Sequence, residues 1–185
     1  MILGKNKIEE AISKGDIVIT PFKEDRLNPN SYNVHLSNIL KEYDNRHVLD
    51  PKQNNSNLCI TTIIPKEGYV LKPGILYIGS TVETIASDKF ISAIDGRSSI
   101  GRLGMQVHLT AGFGDIGFNG TYTLEITVVQ PVRIYPNLEI AQVYFEKPDG
   151  KVDFLYRGRY QGQQEPTESK FYSNSNDIKG YHYSK

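Results

Sequence analysis

Thr121-Tyr-Thr-Leu-Glu-Ile-Thr-Val-Val129 alternates apolar and polar residues. Successive side chains of a strand point to opposite faces. Tyr122, Leu124, Ile126 and Val128 therefore share one face, and Thr121, Thr123, Glu125 and Thr127 share the other. Outward from it, Leu58–Ile64, Ile75–Val82, Phe90–Ile94, Met105–Thr110 and Leu138–Phe145 also read as strands. Pro65-Lys-Glu-Gly68 and Lys72-Pro-Gly74 read as turns between them, and Gln53–Asn57 as a surface loop. Lys5–Lys14 has helical spacing, with Ile8 and Ile12 four apart and Gly15 as the stop. Short strands separated by turn signals predict a mainly β sandwich or barrel with a short N-terminal helix.

Composition narrows the function. The chain has 185 residues, which fits one domain. Its 21 Lys plus Arg balance 21 Asp plus Glu. Zero net charge supplies no global field to hold DNA or RNA, but leaves a local site for a small phosphate ligand open. The single cysteine, Cys59, excludes an internal disulfide and a cysteine-cluster zinc site, and fits a reducing, cytoplasmic setting. No apolar run reaches a membrane span of roughly 18 residues. Met1-Ile-Leu-Gly-Lys-Asn-Lys lacks the apolar stretch of a secretory signal.

Three segments carry chemistry. Glu125 is a lone carboxylate between threonines: a solvated outer face, or an acid lining a cleft. Asp95–Gly104 holds three Gly, two Ser and two Arg within ten residues. Such a segment can bring backbone N–H groups, hydroxyls and guanidinium forks onto phosphate oxygens. It is not a Walker A loop. Thr110–Gly120 is a glycine-rich turn with one carboxylate, Asp115: a turn cap, or an acid presented to a ligand. His35, His47, His108 and His182 form no metal-ligand spacing, and the zinc nucleobase-deaminase signature is absent. His108, between Val107 and Leu109, reads as a satisfied strand histidine.

Together, Gly96-Arg-Ser-Ser-Ile-Gly-Arg-Leu-Gly104, Val107-His-Leu-Thr-Ala-Gly-Phe-Gly-Asp-Ile-Gly-Phe-Asn-Gly120 and Thr123-Leu-Glu125 resemble the dCTP deaminase family of the dUTPase-like superfamily. Asn28-Pro-Asn-Ser-Tyr32 and Tyr160-Gln-Gly-Gln163 extend the likeness over nearly the whole chain. The resemblance implies a distorted β-barrel or jelly-roll and a homotrimer with active sites between subunits. It implies deamination of dCTP to dUTP and ammonia without zinc, with magnesium carried on the nucleotide's phosphates, and inhibition by dTTP. Residues 157–185 would form a mobile tail closing over the nucleotide.

By the same resemblance Glu125 is the catalytic glutamate, and Ser98 and the carbonyl of Ala111 position the water. Arg102 is an essential site arginine. Arg97, Ser99 and Gly101 join Ser98 in the nucleotide-binding loop, and Asp115 meets the deoxyribose 3′-hydroxyl. Thr123 and Leu124 line the base pocket through backbone groups. Gln142, Tyr156, Arg159 and Gln163 match phosphate- or sugar-side positions. Departures include Arg159 for the usual lysine, Glu165-Pro-Thr-Glu-Ser-Lys170 for Gly-Pro-Thr-x-Ser-Arg, and Tyr32-Asn-Val-His-Leu-Ser37 for Tyr-Asp-x-Arg-Leu-Gly. The leading expectation is a single-function enzyme that releases dUTP. The runner-up also cleaves the triphosphate to dUMP and pyrophosphate, and Ala111-Gly-Phe-Gly-Asp115 favours it. A catalytically silent nucleotide-binding regulator is the third reading.

Overall fold

A computed structural model describes residues 1–173. The predicted helix is α1, Lys5–Ser13, with Ile8 and Ala11 buried. Among the described residues twelve strands follow: β1 Val18–Thr20, β2 Tyr32–His35, β3 Ile39–Tyr43, β4 Cys59–Ile63, β5 Tyr69–Leu71, β6 Tyr77–Ala86, β7 Ile91–Gly96, β8 Met105–Gln106, β9 Phe113–Gly114, β10 Asn119–Val128, β11 Val132–Ile134 and β12 Glu139–Glu146. A short helix, α2 Ser98–Gly101, follows β7.

The chain is mainly β, as expected. Among the described residues the strands form open sheets rather than one closed barrel. The largest runs β4-β3-β6-β10-β8, with β1 also on β6. A second runs β2-β12-β7-β9, and β11 pairs with β5. The inward residues of these sheets, among them Tyr32, Leu36, Leu124, Ile126, Val143 and Phe145, form one buried core. No helix among the described residues is long and apolar enough to cross a membrane.

Two departures from regular pairing matter for the site. The predicted strand Met105–Thr110 keeps its ladder only through Gln106, which pairs with Thr127. Beyond it the backbone leaves the sheet, and Leu109 N–H donates to the Glu125 side chain at 3.0 Å. A carboxylate has taken a donor that a longer ladder would have used. The second departure is a bulge between β6 and β10. Thr121 faces Thr84 and Thr123 faces Ser80, so β6 carries extra residues there. Thr81 Oγ1 fills the gap, accepting from Tyr122 N–H at 2.9 Å and donating to Glu83 O at 2.8 Å.

The bulge buries Glu83 completely. Its carboxylate meets Arg26 Nη1 at 2.5 Å, His35 N–H at 2.9 Å and His35 Nδ1 at 3.0 Å. A buried charge is costly unless paired and hydrogen-bonded, and this one is both. Asn33 plays a comparable part at the other end of β2. It donates from Nδ2 to Glu139 Oε1 at 2.9 Å and accepts from Asn28 Nδ2 at 2.7 Å. An aspartate there would instead face the Glu139 carboxylate.

Candidate active site

The alternation of β10 settles how Glu125 is presented. Leu124 and Ile126 are fully buried, while Thr123, Glu125 and Thr127 are only half-buried on the opposite face. That face is the floor of a cavity of about 630 Å³. Glu125 lines it beside Leu109, Ala111, Asp115 and Thr123. One carboxylate oxygen, Oε2, is held by Leu109 N–H. The carboxylate is thereby oriented, and its other oxygen stays available to a proton donor.

Much of the rest of the lining is aromatic. Phe118, Tyr122, Tyr156 and Tyr160 all line the cavity. Phe118 packs edge-on against Tyr122 at 5.4 Å and against Tyr156 at 6.1 Å between ring centroids. Such pairs hold rigid apolar walls fit for a flat ring. The Tyr122 hydroxyl shares a 2.5 Å hydrogen bond with Ser92 Oγ, and burial pushes its pKa up to about 12. It stays a neutral phenol at physiological pH.

The tail forms the remaining wall. It is tied to β10 at Thr121, whose N–H donates to Gln163 O at 2.9 Å and whose carbonyl accepts from the Gln163 side-chain Nε2 at 2.7 Å. Upstream, Tyr156 N–H donates to Ile116 O at 2.7 Å. The glycines of the 110–120 loop permit this approach. Gly117 has φ +93°, and a Cβ there would lie 2.6 Å from Leu155 Cβ. A Cβ on Gly120 would lie 2.8 Å from Gln163 O. Gln163 Oε1 is buried and has no hydrogen-bond partner among the described residues. Residues 174–185 of the expected tail lie outside the described residues.

The structure thus brings Glu125, Ala111, Asp115, Thr123, Tyr156 and Gln163 together around one cavity. Others stand apart from it. Ser98, Ser99, Gly101 and Arg102 are exposed on or beside α2 and do not line that cavity. Arg97 is paired with Glu139. Gln142 accepts from Ser31 Oγ at 3.1 Å and donates to Gly96 O at 3.4 Å, bracing β12 rather than lining the cavity. Leu124 turns its side chain into the core. Arg159 donates from Nη1 to Lys170 O at 2.9 Å within the tail.

Sequence reasoning missed Tyr43, Leu109, Phe118, Tyr122 and Tyr160 as cavity residues. Leu109, Phe118, Tyr122 and Tyr160 lie inside segments the sequence had singled out, and Tyr43 lies in none of them. His108 is not the expected satisfied strand histidine. It lies past the end of β8, and its Nδ1 is buried without a partner among the described residues. Those residues hold no cluster of three or more His, Cys, Asp or Glu that could bind a metal.

Fold and site define a class: a mainly β protein with an oriented carboxylate facing an aromatic-walled cavity. The family model described as dCTP deaminase-like matches residues 2–148, and the chain belongs to that family. The chain is 50% identical over 161 residues to a protein of Hathewaya histolytica named "dCTP deaminase, dUMP-forming", spanning 87% of this chain and 91% of the relative. A Clostridium botulinum protein of the same name is 51% identical over the same shares. One from Cytophaga hutchinsonii is 48% identical, also over 87% of this chain and 91% of the relative. A solved 2′-deoxycytidine 5′-triphosphate deaminase from Agrobacterium tumefaciens shares the fold, with TM-score 0.61 at 20% identity. That likeness covers 80% of this chain and 48% of the solved one, so the chain spans about half its length.

These names correct one expectation. The leading sequence reading had dUTP as the released product. The relatives at about half identity are named for forming dUMP, which matches the runner-up.

Proposed function

We propose that this protein deaminates dCTP and cleaves the same nucleotide to dUMP, releasing ammonia and pyrophosphate. The observation that carries the reading is two carboxylates, Glu125 and Asp115, lining one aromatic-walled cavity. The high identity to relatives named dUMP-forming supports it.

Deamination needs a water oxygen to bond to C4 of cytosine while N3 gains a proton. Glu125, oriented through Leu109 N–H, takes the water's proton and returns it to the ring. The proton of the new C4 hydroxyl passes to the amino nitrogen, the C4–N bond breaks and ammonia leaves. The ring now carries a C4 carbonyl. In the second step another water attacks the α-phosphorus and pyrophosphate departs. Asp115, which lines the same cavity, aims that water. Each turnover consumes two waters.

Magnesium enters on the triphosphate and offsets its charge. The exposure of Ser98, Ser99, Gly101 and Arg102 outside their own chain's cavity supports a homotrimer in which α2 completes a neighbouring subunit's site.

Incubation with dCTP and magnesium, followed by separation of the nucleotides, tests the reading. Equal amounts of dUMP, pyrophosphate and ammonia are expected. Accumulation of dUTP with no pyrophosphate would overturn it.

A further inference from the structure

The tail does more than lie beside β10. Four consecutive residues are tied down at the cavity rim. Thr167 N–H donates to Thr123 Oγ1 at 3.3 Å, Glu168 pairs with Lys41 at 2.8 Å, Ser169 N–H donates to Tyr43 Oη at 3.2 Å, and Lys170 N–H donates to Tyr160 Oη at 3.0 Å. Two of these partners, Lys41 and Tyr43, share a face of β3. Lys41 sits opposite Ile78, which lines the cavity. Thr167 and Ser169 line it too.

The Lys41–Glu168 pair differs from the surface ion pairs of α1. Its side chains are only 17% and 20% exposed, against 59% and 43% for Lys14 and Glu10. A partly desolvated pair is screened less than a surface pair, and removing one partner leaves the other charge without compensation. Position adds a second effect. Glu168 stands at the rim of a cavity read here as a triphosphate site, where a bare carboxylate would repel the ligand. Lys41 neutralises it.

We propose that Lys41 is a positioning residue: it latches residues 167–170 over the cavity through Glu168, with Tyr43 as the second anchor. Contacts within the chain then offset part of the entropy cost of ordering the tail over the cavity. The effect on turnover rests on the proposed function; the latch itself does not.

Charge reversal tests it. In Lys41→Glu the KM for dCTP should rise about tenfold with kcat within about twofold, the cost of one partly buried pair. Tryptic cleavage after Arg157 and Arg159, read by mass spectrometry so that cuts at position 168 are left out, should quicken by a similar factor in Lys41→Glu and in Glu168→Lys. The double variant Lys41→Glu/Glu168→Lys should recover most of both losses, which a merely misfolded strand would not do. The latch is refuted if the double variant is as impaired as Lys41→Glu, or if Lys41→Glu matches the wild type in KM and cleavage. Wild-type protein inert towards dCTP would sink the proposed function, and cleavage rates alone would then decide the latch.

Discussion

Replacing Glu125 by Gln keeps the side chain's shape and removes its basicity. The carbonyl of the new amide can still accept from Leu109 N–H, which lies 3.0 Å from a carboxylate oxygen in the native protein, so the loop above it should hold its place. The amide nitrogen then stands where the second carboxylate oxygen stood. It can donate to a water but cannot take the water's proton. A positioned acid–base group contributes about 10²–10⁴ to rate. At about 1.36 kcal/mol per tenfold, that is roughly 3–5 kcal/mol of barrier. Glu125→Gln should therefore lose ammonia release by two to four orders of magnitude while binding dCTP within a fewfold of wild type. Glu125→Asp separates position from chemistry. It retains a carboxylate but draws it back by about one C–C bond, away from Leu109 N–H. Ammonia release in single turnovers and calorimetric titration with dCTP read the two effects apart. Deamination by Glu125→Gln at more than a tenth of the wild-type rate would remove Glu125 from the proton shuttle.

Other perturbations follow from the same structure. Glu83→Ala leaves Arg26 and His35 without their buried carboxylate and should cost about 3–5 kcal/mol in denaturant unfolding. A loss under 1 kcal/mol would show that the bulge does not depend on the pair. Burial pushes the Cys59 thiol up to about 11, so only about one molecule in a thousand carries a thiolate at pH 8. Alkylation at pH 8 should run roughly a hundredfold slower than for a free cysteine of pKa near 8.5, and should rise with pH until about 11. Equal rates for Cys59 and free cysteine at pH 8 would contradict the burial argument.

Much of the fold was readable because backbone geometry imposes short periods. The two-residue period of β10 placed Glu125 opposite the core, and the structure keeps that assignment. The N-terminal helix and the strands β4, β7 and β12 were likewise expected, with ends shifted by a residue or two. The strands that were missed are short or polar. β2, Tyr32-Asn-Val-His35, alternates but spans only four residues, and β3 sets Lys41 beside Glu42, which breaks its alternation. The predicted strand at Met105–Thr110 failed after Gln106 because a side chain, Glu125, captured a backbone donor. No local pattern announces that exchange.

For the site, the residue types and spacings of Glu125, Asp115 and the glycine loop determined which chemistry was available. Local sequence left open whether Glu125 met solvent or a ligand, and tertiary structure decided it. Leu109 reaches Glu125 from 16 residues away, Gln163 reaches Thr121 across 42, and Glu168 finds Lys41 across 127. Such contacts arise from how the whole chain buries its apolar faces, not from any period within a segment. Amino-acid order thus specified a strand with one acid on its polar face. Packing turned that face into the floor of a cavity, walled it with aromatic rings and drew the tail across its rim.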